Sequence, residues 1–254
     1  MSWGSERRAF IIVLIGLVIT AFVAWVAIAT FFKAPTCFDR TQNQDEEGVD
    51  CGGSCTYLCT ALLASPVPDV AFVRPLTLSN GRTDVIAYLV NKNPNALLKD
   101  AHYVIELFNA KQTLVATKEG TVTLPASSEV PLFVPNFSSG ESDVAYAFVT
   151  FATTSLEWIR SAPLAPSISV ANTSITGSST PKIVATLKNT TASSLRNTKV
   201  VATLFDASGK AIAASQTVVS FLAGFGEAQA VFTWNEPFES EPVRIDIRPI
   251  QTVP

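Results

Sequence analysis

Cys37, Cys51, Cys55 and Cys59 are the only cysteines of this 254-residue chain, and all four fall in one short block. Thiols gathered in this way either pair as disulfides, stapling a segment too short to bury a core, or hold zinc through four thiolates. Zinc ribbons use two short Cys pairs, whereas here one long gap leads into two three-residue gaps, so two bridges are expected. Sequence allows several pairings; the closeness of Cys55 and Cys59 favours different partners for the two. Asp39, Asp45, Glu46, Glu47 and Asp50 lie between the cysteines and are offset only by Arg40. From Thr60 onward 14 basic residues meet 15 acidic ones, so the negative excess of the chain beyond its N-terminal segment sits in this block. Carboxylate oxygens at such density suit calcium, with Asp39, Asp45 and Asp50 as candidate ligands. No spacing matches an EF-hand loop, and the plainer role of these acids is to solvate a disulfide-closed knot.

The run from Cys37 through Asp45-Glu46-Glu47-Gly48-Val49-Asp50-Cys51-Gly52-Gly53-Ser54-Cys55, closing at Cys59, resembles the short Cys-rich module of many bacterial surface proteins. In that module a Cys-x-Asp-Gly opening leads through an acidic stretch to Gly-Val-Asp-Cys-Gly-Gly-x-Cys. Arg40 stands where the module has Gly, which bears on the opening turn and on any ion held there. The resemblance implies an extracytoplasmic, disulfide-bonded spacer or calcium-supported element without catalytic activity.

Chemistry elsewhere in the chain is sparse. His102 is the single histidine, which makes a His-based triad or a multi-His metal centre hard to build, and strand alternation turns it away from the side of Tyr103, Ile105 and Leu107. No phosphate-binding loop, Gly-x-Ser-x-Gly elbow or zinc-protease motif occurs, so no enzyme and no nucleotide partner is expected. A formal charge of −3, without a Lys/Arg cluster, lacks the electrostatics of nucleic-acid binding. Charged residues make up 15% of the chain, against roughly 25% in ordinary soluble domains. Part of it is therefore suited to an apolar environment.

That part runs from Ala9 to Phe32, without one charged residue. At about 1.5 Å per residue it reaches roughly 36 Å, enough to cross a lipid bilayer as a tilted helix. Arg7 and Arg8 precede it, and only Lys33 follows before the acidic block, which predicts a cytoplasmic N-terminus and an extracytoplasmic remainder. Ala27-Ile28-Ala29 has the form of a signal-peptidase site with cleavage after Ala29, but the apolar region exceeds the usual length of a cleavable one and favours a retained signal anchor.

Beyond Ser65-Pro66-Val67-Pro68, short apolar runs alternate with turn signals, the pattern of an all-β sandwich. The runs 85–90, 102–108, 121–124, 130–134 and 144–151 are followed in the same order by 183–188, 199–205, 217–222, 228–234 and 243–247. Asp84–Asn91 aligns with Lys182–Asn189 at an offset of 98, and Tyr103–Asn109 with Val200–Asp206 at 97. Two copies of this size predict tandem immunoglobulin-like sandwiches. Gly209 supplies a hairpin turn in the second copy, and Pro94 keeps Asn93-Pro94-Asn95 out of a central ladder.

Val90–Asn95 followed by Tyr103–Leu107 resembles the strand pair of the water-stress, late-embryogenesis-abundant sandwich domains. Val201–Gly209 resembles the Leu-Tyr-Asp motif of FxLYD-type bacterial domains, with Phe205 in place of Tyr. These likenesses imply extracytoplasmic modules that bind or space.

The expected architecture is mainly β: a cytoplasmic N-terminus (1–8), a transmembrane helix (9–32), a Cys-rich acidic module with linker (33–66) and two sandwiches (67–163 and 164–254). The expected role is non-enzymatic: a single-pass protein of the cell membrane whose partners are the lipid bilayer and other envelope proteins. The alternative is a surface receptor for calcium or carbohydrate, with Trp158, Trp234 and Tyr146 as stacking surfaces, although one Trp per sandwich ordinarily belongs to the core. Asn136, Asn172 and Asn189 head Asn-x-Ser/Thr triplets of the glycosylation type.

Overall fold

The computed structural model describes residues 3–31, 36–43, 45–138, 143–153 and 156–250. The chain divides into two compact units, Met1–Cys59 and Thr60–Pro254.

In the first unit, helix α1 spans Trp3–Phe31. From Ala9 to Phe31 it is apolar on every side and none of it is buried in protein, so it has the length and composition to cross a membrane. Its two threonines return their hydroxyls to the helix, Thr20 Oγ1 to the Gly16 carbonyl at 2.8 Å and Thr30 Oγ1 to Val26 at 2.7 Å. Neither hydroxyl then needs water, as a hydrocarbon surrounding demands. Ala27–Ala29 lie inside this helix, and Phe32 and Lys33 lie outside the described residues.

In the second unit a single 3₁₀ turn, Thr60–Leu62, precedes thirteen described strands. They are β1 Asp69–Thr77, β2 Thr83–Asn91, β3 Ala96–Phe108, β4 Leu114–Leu124, β5 Ser128–Ser138, β6 Tyr146–Phe151, β7 Glu157–Arg160, β8 Ile168–Thr176, β9 Lys182–Asn189, β10 Leu195–Phe205, β11 Ala211–Leu222, β12 Glu227–Thr233 and β13 Arg244–Pro249. Each of the ten apolar runs read from sequence lies in or overlaps one of them. The other three strands lack that signature: β1 contains Pro75, β7 is short, and β8 is dominated by Ser, Thr and Asn with only Ile168 fully buried.

All described pairings are antiparallel, and they make four sheets: β1-β2-β5, β4-β3-β6, β8-β9-β12 and β11-β10-β13, with β7 joining β3 beyond the end of β6. The first two sheets close on Val85, Tyr103, Ile105, Leu107, Val134 and Phe137. The last two close on Ile183, Leu187, Val200, Leu204, Leu222 and Phe232. Strand order is the same in both copies, as an internal repeat demands. Among the described residues no strand pairs with the outer side of β6 or β13, where a seven-stranded immunoglobulin sheet pair has one.

The two sandwiches are also packed on each other. A third core of Leu76, Ile86, Tyr88, Val201, Phe205, Ala211 and Ala214 joins the outer face of β1-β2-β5 to the outer face of β11-β10-β13. The result is four sheet layers with three apolar interfaces. Strand β2 is therefore covered on both faces, while its repeat equivalent β9 alternates buried and open positions. The relation inverts in the next pair: β10 is buried along most of its length and β3 alternates.

The hairpins repeat as well. Asn109 Oδ1 accepts from the amides of Lys111 and Thr113, and Asp206 Oδ1 accepts from those of Ser208 and Lys210. Gly209 takes the left-handed position of the second turn at φ 79°, and Gln112 takes it in the first at φ 62°.

Candidate functional site

Disulfides Cys37–Cys55 and Cys51–Cys59 close the acidic block, so Cys55 and Cys59 do reach different partners. The loop between them is held by the acids. Asp50 Oδ1 accepts the Asp39 amide at 2.9 Å, and Asp50 Oδ2 accepts the Arg40 amide at 3.0 Å. These bonds hold Arg40 in the left-handed region at φ 60°, a position that glycine occupies without strain, which explains the residue usual in the resembling module. Asp39 in turn accepts from the hydroxyls of Thr36 and Thr41, the Thr41 amide and Asn43 Nδ2. Its carboxyl is held down to about 2, the Thr36 and Thr41 hydroxyl hydrogen bonds contributing most. Asp45 accepts from Ser54 Oγ at 3.1 Å.

Asp39 and Asp50 thus brace one turn, at residues 39–43, and Asp45 holds Ser54 elsewhere in the block. Among the described residues one group of ligand-type atoms comes together within 4.8 Å, that of Cys37, Glu46 and Cys55, and there both sulfurs are joined in a disulfide and carry no thiolate charge. The nearly buried Glu46 carboxylate lies 3.3 Å from Cys55 Sγ and accepts the Asn43 amide at 3.2 Å. What this arrangement does chemically is fix a short loop, since each of these carboxylates has a donor to receive. Gly53 completes it at φ 52°, where a Cβ would fall on the Asp45 carbonyl.

In the larger unit the expected stacking residues separate. Trp158 is 1% exposed and donates its indole N–H to the Pro66 carbonyl at 3.0 Å, so it is core and offers no face to a sugar. Trp234 is half-buried with its ring edge-on to Phe238 at 5.2 Å. Tyr146 is exposed, on β6. His102 lies on the face opposite to Tyr103, Ile105 and Leu107, with Nε2 3.4 Å from Glu119 on the neighbouring strand. Ser65 and Pro66, expected to serve as linker, are fastened to the first sandwich: Asn93 Nδ2 donates to the Ser65 carbonyl at 2.7 Å, and Asn93 Oδ1 accepts the Ser65 amide at 3.1 Å.

Sequence reasoning passed over two residue groups. The first is the pair Asn91 and Asn189, already aligned by the repeat. Both are fully buried and close the end of the sandwich: Asn91 Nδ2 donates to the carbonyls of Ala96, Leu124 and Pro125, and Asn189 Nδ2 to those of Ser193 and Ala223. An amide with donors and an acceptor on one short stem is the side chain able to do this, so an Asn recurring at the end of two aligned strands was the available signal. Burial also removes Asn189 as a glycan acceptor.

The second group spans the two sandwiches. Tyr88 donates its hydroxyl to Asp246 Oδ2 at 2.9 Å, Asp246 receives Arg248 Nε at 2.9 Å, and Arg248 reaches Glu129 at 3.2 Å. Phe72 stacks on Tyr88 at 4.8 Å and meets Phe205 edge-on at 5.9 Å, and the Arg244 guanidinium covers Phe205 at 3.8 Å. Burial first, and then the Asp246 charge, push the Tyr88 phenol far above its ordinary range.

No family model matches this chain, and no curated protein matches it. Among solved structures, red sea bream transglutaminase is similar at 14% identity and a TM-score of 0.23. The alignment covers 72% of this chain and 29% of that one, and a likeness this slight carries no argument.

Proposed function

We propose that this chain is a single-pass membrane protein, N-terminus in the cytoplasm, that carries its cysteine module and paired sandwiches outside the cell membrane as a non-enzymatic scaffold for other envelope proteins. The observation that carries this reading is the succession, within 59 residues, of an apolar helix and a module closed by two disulfides. Such bridges persist in oxidising compartments and so belong on the far side of the membrane from the cytosol. Arg7 and Arg8 ahead of the helix favour the same orientation. The disulfides and the acid-braced turns act as a compact collar in the first unit, and the paired sandwiches present sheet edges and loops for protein contact.

Maleimide labelling of a single Cys placed at Ser5 or Ser208, in otherwise Cys-free full-length protein in intact cells, tests the orientation. Labelling at Ser208 before lysis and at Ser5 only after it is the expected result; the opposite pattern overturns the reading. Reproducible partners in crosslinking and affinity purification from native membranes test the scaffold role, and a protein recovered alone would refute it. Calcium or glycan binding is the rival reading: calcium rests on the acid density of residues 39–50, and glycan stacking, with Trp158 buried, on Trp234 and Tyr146.

A further inference from the structure

Nine described strands lie at the edges of the four sheets, β7 included, and an exposed edge presents unpaired amides and carbonyls to any extended chain. Eight of them carry the usual protection, the short β7 through Glu157 and Arg160. Strand β1 has Arg74 and Pro75, β4 has Lys118 and Glu119, β5 has Pro131 and Pro135, and β12 begins with Glu227. Irregular register interrupts β8 and β11, and β13 has Arg244, Asp246 and Arg248. Strand β6, Tyr-Ala-Phe-Val-Thr-Phe, has no charge, no proline and no break in register with β3. It is the repeat counterpart of the guarded β13.

The Ala152 amide donates to the His102 carbonyl, which sets the alternation: the amides of Phe148 and Thr150 face β3, and those of Ala147, Val149 and Phe151 face outward. No strand pairs with that outer side among the described residues. Beside the start of β6 runs a cleft of about 540 Å3, walled by residues 73–77 of β1 and by Lys210–Ile212. Among the described residues two cations, Arg74 and Lys210, line it against the one carboxylate of Glu239.

We propose that β6 is a strand-addition site, and that its occupant is an extended, acidic segment of a partner envelope protein which pairs with β6 and sets a carboxylate side chain between Arg74 and Lys210. This rests on the scaffold reading and names the surface that performs it. Main-chain bonds to Ala147, Val149 and Phe151 supply affinity, and the cationic cleft supplies selection. A second copy of this chain fits less well, because β6 itself brings no anion to the cleft.

The test places a photocrosslinking amino acid at Tyr146, or at Val218 on β11 as a control, both about half exposed, in the full-length protein in its native membrane. The expected result is an adduct from position 146 whose crosslinked peptide contains Asp or Glu in an extended segment. Val149→Pro, which removes an outward amide, and Arg74→Glu with Lys210→Glu, which leave the strand intact, should each lower the adduct yield about tenfold. Adducts at 218 but not at 146 overturn strand addition and leave the scaffold reading standing. Absence of adducts at both overturns the two together, and an adduct with a second copy of this chain, or a yield unmoved by the charge reversal, overturns the proposed occupant.

Discussion

Replacing Asn91 with Ala removes four hydrogen bonds from a site that water does not reach. Three are donated by Nδ2 at 2.7, 3.1 and 2.8 Å, and one, from the Asn93 amide to Oδ1, is accepted at 2.9 Å. A neutral bond contributes about 1 kcal/mol net, and a buried group left without a partner costs about 1–3 kcal/mol. Four lost bonds, with partial relaxation, give an expected destabilisation of about 3–5 kcal/mol, which for a unit of this size lowers Tm by roughly 10 °C. Thermal unfolding of the detergent-solubilised protein, followed by circular dichroism in the β region, measures it. Asn91→Asp separates the amide donors from the side-chain volume: it keeps the acceptor but turns a carboxylate toward three carbonyls, so it should be at least as damaging as Ala. A loss below about 1 kcal/mol for Asn91→Ala, or an Asp variant as stable as the parent, would refute the reasoning.

Four other outcomes are expected. The raised Tyr88 phenol favours the neutral form in the fold, so the stability it contributes is complete below the unfolded value of about 10 and is lost as pH rises above it; Tyr88→Phe should flatten the alkaline limb of a stability–pH curve. Asp39, held down to about 2, contributes stability that is present above about 4 and lost as pH falls toward 2, and an acid titration of the module's disulfide reduction rate should lose that step in Asp39→Asn. Reduction with excess thiol should open the first unit but leave the β signal of the second unchanged, since that unit contains no cysteine. Addition of millimolar calcium, or of a chelator, should leave the thermal protection of the disulfide module unmoved, because Asp39, Asp45 and Asp50 already receive donors; a calcium-dependent rise in Tm would establish the receptor reading instead.

The strands buried on one face were legible from alternation, and so was the repeat that orders them. Strands β1 and β8 were not, because a Pro-broken edge and a Ser/Thr-rich outer strand carry no apolar period. The packing of one sandwich on the other was written in the aligned copies as a difference. Ile86 and Tyr88 of β2 stand where β9 has Val184 and Thr186, and Val201, Thr203 and Phe205 of β10 stand where β3 has Val104, Glu106 and Phe108. Each copy is more apolar on the face that the other covers, as a doubly buried strand requires. The bracing of the acid block was not legible, since hydrogen bonds between Asp50 and residues eleven positions earlier depend on a disulfide pairing that spacing leaves open.

The contact between the sandwiches joins unlike faces, β1-β2-β5 of one copy against β11-β10-β13 of the other. A head-to-tail contact of this kind has no symmetry to close it and is, in geometry, the start of a filament. Growth is stopped by chemistry at the two ends. The free face of β8-β9 presents Ser169, Ser174, Thr186 and Lys188 instead of the aromatic pair Phe72 and Tyr88, and the free face of β3-β4 sets His102, Glu106 and Glu119 around Val104 and Phe108, with Glu106 where β10 has Thr203. Polar end caps are what repeat arrays use to stay finite. Duplication has therefore made the two copies unequal, and neither can be exchanged for the other without also rebuilding the face that its neighbour covers.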